Sequence, residues 1–335
     1  MSDTADNGSE NTPTFDPNIQ TENIAFAPGE LATCDSCGRK NPPTRFNCLY
    51  CAKELAVKIE NVASTGFVTR KLELWERGYN LILRERSDVL DTPKVAQLLS
   101  MEIADLTLIL EARKPLPLAR VETESQTSAM LRGLAQLGLV CSLVSDADLV
   151  PDKPPVRLSG IEFFEDNIAF IDFNTGHLIE IKADELALIV PGLIIESRVD
   201  SLEKRGFRGK KKLVAETPTV SDGSILDIYD RYDAIGFRVH LAGFDFSCLG
   251  EDKTLLASEN IRRLTVTLLE QAPHAKTIDD YGAVRQALRS VWEVETRNDT
   301  QGFERAGVRA VASTSNLNQF TKYSRLQWQL LKDEG

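Results

Sequence analysis

The sequence predicts an α+β protein of several modules, and three observations predict it. Four cysteines near the start form two CxxC knuckles, Cys34-Asp-Ser-Cys37 and Cys48-Leu-Tyr-Cys51, with ten residues between the pairs. From Gly78 to about 150, apolar residues alternate between period-2 runs and helical spacing. Beyond Asp152-Lys-Pro-Pro155, where paired prolines stop regular structure, short apolar runs read as strands and give way to helices. A chain of 335 residues, 42% hydrophobic and 27% charged, is ordinary globular material and long enough for two or three modules.

Residues 1–28 hold Ser, Thr, Asn, Asp and Pro with no Lys or Arg, and read as a disordered acidic tail. The first module occupies 31–56. Four thiolates from two facing knuckles make a tetrahedral cage that suits one structural Zn2+, with Cys34, Cys37, Cys48 and Cys51 as ligands. Such a cage leaves no position for water or substrate, so the ion braces structure. Arg39, Lys40, Arg45 and Lys53 surround the cysteines and favour thiolate, while Phe46 and Tyr50 read as the module's core. Residues 57–76 are a strand or a linking helix.

A small α/β docking domain follows over 78–150. Tyr79 to Arg84 is a strand. Thr92 caps a helix with Pro93 at its first position and Val95, Leu98 and Leu99 on one face. Ile103, Leu106 and Ile109 or Leu110 mark a second helix, ended by Pro115, and Leu116 to Glu122 is the next strand. Thr123 and Gln126 make a capping box for a helix that turns Met130, Leu131, Leu134 and Leu137 inward and stops at Gly138. Leu139 to Val144 closes the unit.

The last module spans 156–335. Strands are expected at 158–164, 168–173, 178–182, 186–190, 193–199, 225–229 and 237–241, with a type II turn at Pro191-Gly192 separating the fourth from the fifth. A helix over 256–271 carries Ile261, Leu264 and Leu268. Two more follow: one capped by Thr277 and Asp280 with Val284, Leu288 and Val291 inward, and one over 317–332 presenting Phe320, Tyr323, Leu326 and Leu330. Between them lies an Arg-rich, Gly-containing stretch, Arg297, Gly302, Arg305, Gly307 and Arg309.

Several of these segments resemble known families. The stretch CDSCGRKNPPTRFNCLYCAKEL resembles the short zinc ribbons at the ends of many bacterial proteins; Gly38 fits that pattern, and Ala52 stands where a second glycine usually sits. The order β-α-α-β-α-β over 79–145 resembles the C-terminal domain of the bacterial ribosomal stalk protein and the Clp-protease adaptor fold, which implies a protein-binding module. The surface here carries Lys94, Glu102, Asp105 and Glu111, so that resemblance does not bring the stalk protein's partner with it. Seven strands and a closing helix over 157–272 resemble a pleckstrin-homology-like β-barrel. The phrases FDFSCLG, DDYGAVRQALRSVW and NQFTKYSRL resemble those of an uncharacterised family of bacterial zinc-ribbon proteins.

Outside the cysteines the sharpest candidate is a basic loop: Lys204, Arg205, Arg208, Lys210, Lys211 and Lys212 within nine residues of a chain whose net charge is −11. It reads as a solvated loop or as an anion-binding one, for nucleic acid or an anionic membrane surface. Glu165-Asp166-Asn167 occupies the turn a pleckstrin-like lipid site would use, and repels phosphate. Catalysis has little support. His177, His240 and His274 are scattered, Asp279-Asp280 reads as a helix cap, and Cys248, beside Asp245 and Glu251, reads as an inert thiol. The expected function is a cytoplasmic, non-enzymatic zinc-binding adaptor with protein partners, since the two cysteines left over, Cys141 and Cys248, suit a reducing compartment. The alternatives are a nucleic-acid-associated regulator working through the ribbon and loop 204–212, peripheral membrane binding through the same loop, and an active site assembled between modules. No apolar run is long enough to span a bilayer.

Overall fold

The computed structural model describes residues 31–42, 48–53, 55, 72–73, 75–149, 153–205, 211–304 and 307–334. The acidic tail, Arg45, Phe46, all of the stretch 57–71, and Arg208, Lys210 and Arg305 of the basic segments lie outside them. The chain divides into two compact units, Met1–Asn61 and Val62–Gly335. The first holds a short antiparallel pair, β1 (Ala32–Thr33) and β2 (Lys40–Asn41), and the cysteine knuckles built up below.

The second unit begins with an α/β layer: β3 (Tyr79–Arg86), α1 (Thr92–Leu99), α2 (Ile103–Ala112), β4 (Pro117–Val121), α3 (Glu124–Gln136) and β5 (Leu139–Ser145). Its sheet runs β4-β3-β5, antiparallel throughout. The capping box of α3 forms in both directions, Thr123 accepting from the Gln126 N–H and Gln126 from the Thr123 N–H. The cap of α1 is one residue earlier than expected. Asp91 accepts from the Lys94 N–H at 3.2 Å, which makes Thr92 the first helical residue. Ile103 begins α2 exposed, and only Leu106, Ile109 and Leu110 turn inward.

A helical turn, α4 (Asp146–Leu149), leads into β6 (Val156–Phe163), β7 (Asn167–Asp172), β8 (Leu178–Lys182), β9 (Leu186–Arg205), β10 (Lys211–Asp230) and β11 (Phe237–His240). Then come α5 (Ala257–Gln271), β12 (Lys276–Thr277), α6 (Tyr281–Leu288), β13 (Glu295–Glu304), β14 (Gly307–Ser315) and α7 (Leu317–Glu334). One large sheet runs in the order β13-β14-β9-β10-β11-β6-β7-β8, with β12 beside β9.

Two expectations for this region are corrected. The fourth and fifth strands are one, because Pro191-Gly192 sits inside β9 and makes no turn. Pro191 falls between the segments of β9 that pair with β12 and β14, so its missing N–H breaks no ladder on that side. A Cβ at Gly192 would lie 2.3 Å from the Phe320 ring, so the glycine admits the close approach of α7. Secondly, six strands occupy the stretch assigned to a seven-stranded barrel, and β11 pairs with β6 in parallel, so the sheet is not a simple meander. The stretch between the last two helices, left without an assigned element by the sequence, is a pair of antiparallel strands, β13 and β14, with β14 laid against β9.

The large sheet is buried on both faces where it meets helices. Leu188, Val190, Ile225 and Tyr229 join a core shared with the α/β layer, α6 and α7. Ile189, Leu226 and Ile228 face a second core under α5, with Leu158, Phe170 and Val239. The α/β layer therefore does not close around an interior of its own. The boundary expected near 150 runs through a shared one.

Helix α7 is the hub of that interior. Every residue from Gln319 to Trp328 is buried, polar ones included. Arg325 donates to the carbonyls of Lys153 at 3.0 Å, Ala234 at 3.2 Å and Leu149 at 3.3 Å. Arg238 pairs with Asp227 through two bonds of 2.6 and 2.7 Å and also donates to the Thr321 hydroxyl. Ser324 shares a 2.7 Å hydrogen bond with the buried Tyr229 hydroxyl. The Trp328 indole donates to the Asp230 carbonyl. A neighbouring network crosses from the C-terminal part into the α/β layer: Trp292 donates to Asn80, Asn80 to Asp146, and Arg120 to Asp146 at 2.6 Å.

Candidate metal centre

Each knuckle is a tight turn closed by its own backbone. The Gly38 N–H donates to the Cys34 carbonyl at 2.8 Å and the Cys34 N–H to the Arg39 carbonyl at 3.0 Å. The second knuckle repeats this, Ala52 to Cys48 at 2.9 Å and Cys48 to Lys53 at 2.8 Å. Both turns need a left-handed residue, Gly38 at φ +68° and Ala52 at φ +58°. Glycine adopts that conformation freely, whereas alanine crowds its Cβ against the next carbonyl. The departure from the ribbon pattern noted at Ala52 is thus a strained position. Strands β1 and β2 flank the first knuckle and close its base.

These turns bring all four sulfurs within 4.8 Å of one another, close enough to hold a metal ion. Cys34 Sγ lies 3.6 Å from Cys51 Sγ, and Cys37 Sγ 3.5 Å from Cys48 Sγ. Tetrahedral coordination with metal–sulfur bonds of about 2.3 Å gives sulfur–sulfur edges of about 3.8 Å, so the spacing fits such an ion. None of the four is in a disulfide.

Asn41, fully buried, supports the cage and escapes a reading based on the cysteines alone. Its amide N–H2 reaches Cys48 Sγ at 3.4 Å and the Arg39 carbonyl at 2.9 Å, and its Oδ1 accepts the Leu49 N–H at 2.8 Å. One side chain so joins both knuckles. The only hint in the sequence is a small amide between the two CxxC pairs. The electrostatics of the cage are divided. Burial opposes ionisation of Cys48, yet the N–H groups of Tyr50 and Cys51 and the Asn41 amide outweigh it and draw the thiol down to about 6. At Cys37 the Arg39 N–H favours thiolate, but lost hydration and three neighbouring sulfurs hold the proton on, up to about 12. A cation that replaces the protons removes this conflict, since all four ligands bind it as thiolates.

Tyr50 is not core. Tyr50 and Leu49 are 56% and 51% exposed, and the Arg39 guanidinium sits 4.5 Å from the Tyr50 ring centroid. Among the described residues the module's buried hydrophobics are Cys34, Cys48 and Leu55.

The other sequence candidates are dispersed. Of the basic segment, Lys204 and Arg205 end β9 and Lys211 and Lys212 begin β10, so its described part is the end of a long hairpin. His177 is exposed after the β7–β8 turn, and His274 Nε2 lies 2.9 Å from the Asp184 carbonyl. His240 ends β11, its pKa held below the usual imidazole range by burial and by Arg238 and Arg157. Burial pushes the Cys248 thiol up to about 11, with Asp245 adding to it, and the Cys141 thiol up to about 12. Asp280 makes no side-chain cap on α6; it pairs with Lys114 at 2.9 Å and accepts from the Tyr323 hydroxyl. Among the described residues no helix is long and apolar enough to cross a membrane. No family model, curated protein or solved structure matches the chain.

Proposed function

We propose that this protein is a non-enzymatic, zinc-braced adaptor that recognises a protein partner through its knuckle module. Four sulfur donors at tetrahedral spacing favour a thiophilic ion, and zinc is the structural choice for a closed site of four cysteines. With all coordination positions taken by protein, the ion's contribution is rigidity. The observation that carries the reading is the outward Leu49-Tyr50 pair on the second knuckle, two large apolar side chains held at fixed geometry by the cage and backed by Arg39. Tyrosine and arginine on a rigid support are the residue types that dominate protein recognition. The free thiols Cys141 and Cys248 suit a reducing, cytoplasmic setting.

The test is affinity capture from native extract with the wild-type chain and a Leu49→Ser/Tyr50→Ser variant, alongside elemental analysis of both. The expected result is about one zinc per chain in each and a partner held by the wild type alone. Equal capture by a variant that keeps its metal would overturn the docking role, and a folded, metal-free module would overturn the brace.

A further inference from the structure

Strand β6 is paired on both sides only near its start. β7 pairs with it from Leu158 to Phe163, whereas β11, on its other side, meets it among the described residues at Val156, Arg157 and Leu158. Past His240 the chain leaves the sheet. It returns to β6 at Ser159, whose carbonyl accepts the Asp245 N–H at 2.8 Å. A helical turn, Phe246–Asp252, then stands off the strand. An open groove of about 760 Å³ lies between them, lined by Ile161, Glu162 and Phe163 of β6 and by Asp245, Ser247 and Cys248.

This groove runs along a sheet edge. Successive residues of an antiparallel pair turn their N–H and C=O groups alternately toward and away from the partner strand. Phe164 faces β7, since its N–H donates to the Asn167 carbonyl at 2.9 Å, and the register holds without a shift from Gly160 to Phe163. Glu162 therefore faces β7 as well, and Ile161 and Phe163 turn their backbone groups to the groove. Such a row is a template for one more strand.

We propose that an extended, basic segment of a partner protein docks in this groove, lying beside β6 in the lane that β11 leaves. The proposal is independent of the metal centre and of the knuckle surface. Strand addition draws affinity from the backbone and specificity from alternate side chains. On one face of the lane Glu162 is exposed, and the strand leads to exposed Glu165 and Asp166 at the β6–β7 turn. On the other, the half-buried Phe163 and Cys248 pack against the core under α5. Asp245 already accepts from Ser247 and from Lys253 at 3.2 Å, so the charge offered to a ligand lies along β6. An incoming strand that alternates basic and apolar residues matches both faces, and an acidic one is repelled.

The experiment is fluorescence polarisation of a labelled peptide alternating lysine and valine, titrated with the full chain at low and physiological salt. One comparison peptide replaces lysine with glutamate. Another is methylated on its backbone nitrogens, which keeps charge and side chains and removes the donors. The protein variants are Glu162→Lys and, in case reversal disturbs folding, Glu162→Gln, each checked by circular dichroism. The parent peptide should bind saturably and the glutamate peptide should not. Methylation should weaken binding by about tenfold, and Glu162→Lys by about fivefold. No saturable binding at low salt, equal binding of the methylated or the glutamate peptide, or unchanged binding to a folded Glu162→Lys chain overturns the proposal. Self-association in sedimentation that Glu162→Lys abolishes overturns it in favour of a second copy of the chain.

Discussion

The cysteine knuckles and helix α7 are both rigid, for opposite reasons. The knuckles achieve order through partners close in sequence: the two short sulfur–sulfur contacts span 11 and 17 residues, and a few turn hydrogen bonds complete the module. Its described apolar interior is Cys34, Cys48 and Leu55, and the four clustered sulfurs are placed to add the binding energy of a metal ion to it. Helix α7 is ordered by side chains of its own unit. Its partners are distant, with Ser324 meeting a residue 95 positions away and Arg325 one 176 positions away, and its polar side chains are satisfied only when the whole second unit is assembled. A chelating module fails when one atom is lost. A polar hub fails when one buried group is orphaned.

The largest expected effect tests that contrast at its strongest. Cys48→Ser should remove most of a metal-binding free energy of about 10–16 kcal/mol and unfold the knuckle module. The second unit should keep its melting temperature in calorimetry; joint collapse would show that the hub depends on the ion. Next is Arg238→Met, which strands the fully buried Asp227 carboxylate and should cost about 3–5 kcal/mol in urea denaturation. Replacing both partners, Asp227→Leu with Arg238→Met, should cost far less. If it costs as much as the single change, the pair and not its orphaned member supplies the stability.

Lys322 gives a smaller, pH-dependent effect. Burial holds its amine down to about 8, against the help of Asp146 and with Arg120 adding to the depression. The unfolded chain keeps that proton up to the ordinary value near 10.5, so between pH 8 and 10.5 the unfolded state binds more protons and stability rises with pH. Lys322→Met should abolish that rise and stabilise the protein at pH 7 by on the order of 1–3 kcal/mol. A variant with the same pH slope as the wild type would show that the amine reaches water. The smallest change belongs to the knuckles. Ala52→Gly relieves a left-handed alanine and should add about 1 kcal/mol, raising metal affinity about fivefold in a chelator competition; Gly38→Ala should do the reverse.

What was legible in the sequence follows the range of the interactions involved. The capping box at Thr123 and Gln126, the stop at Gly138 and the four cysteines are each set by neighbours within a turn or two. Pro191-Gly192 misled because the pair carries turn chemistry, while the residue that demands the glycine, Phe320, is 128 positions away. The β13–β14 hairpin was hidden because its residues alternate weakly and gain strand structure by pairing with β9. Tyr50 looked like core because aromatics usually are; it is exposed on the second knuckle, where the Arg39 guanidinium lies over its ring.

By itself, then, the sequence determined the metal cage and the local helix and strand signals, since those depend on residue types at short, fixed separations. Only the tertiary structure decided that α7 is buried on every face from Gln319 to Trp328, and that the α/β layer shares its interior with the C-terminal helices. Those outcomes depend on which distant surfaces satisfy one another's polar groups, and spacing along a single chain carries no record of that.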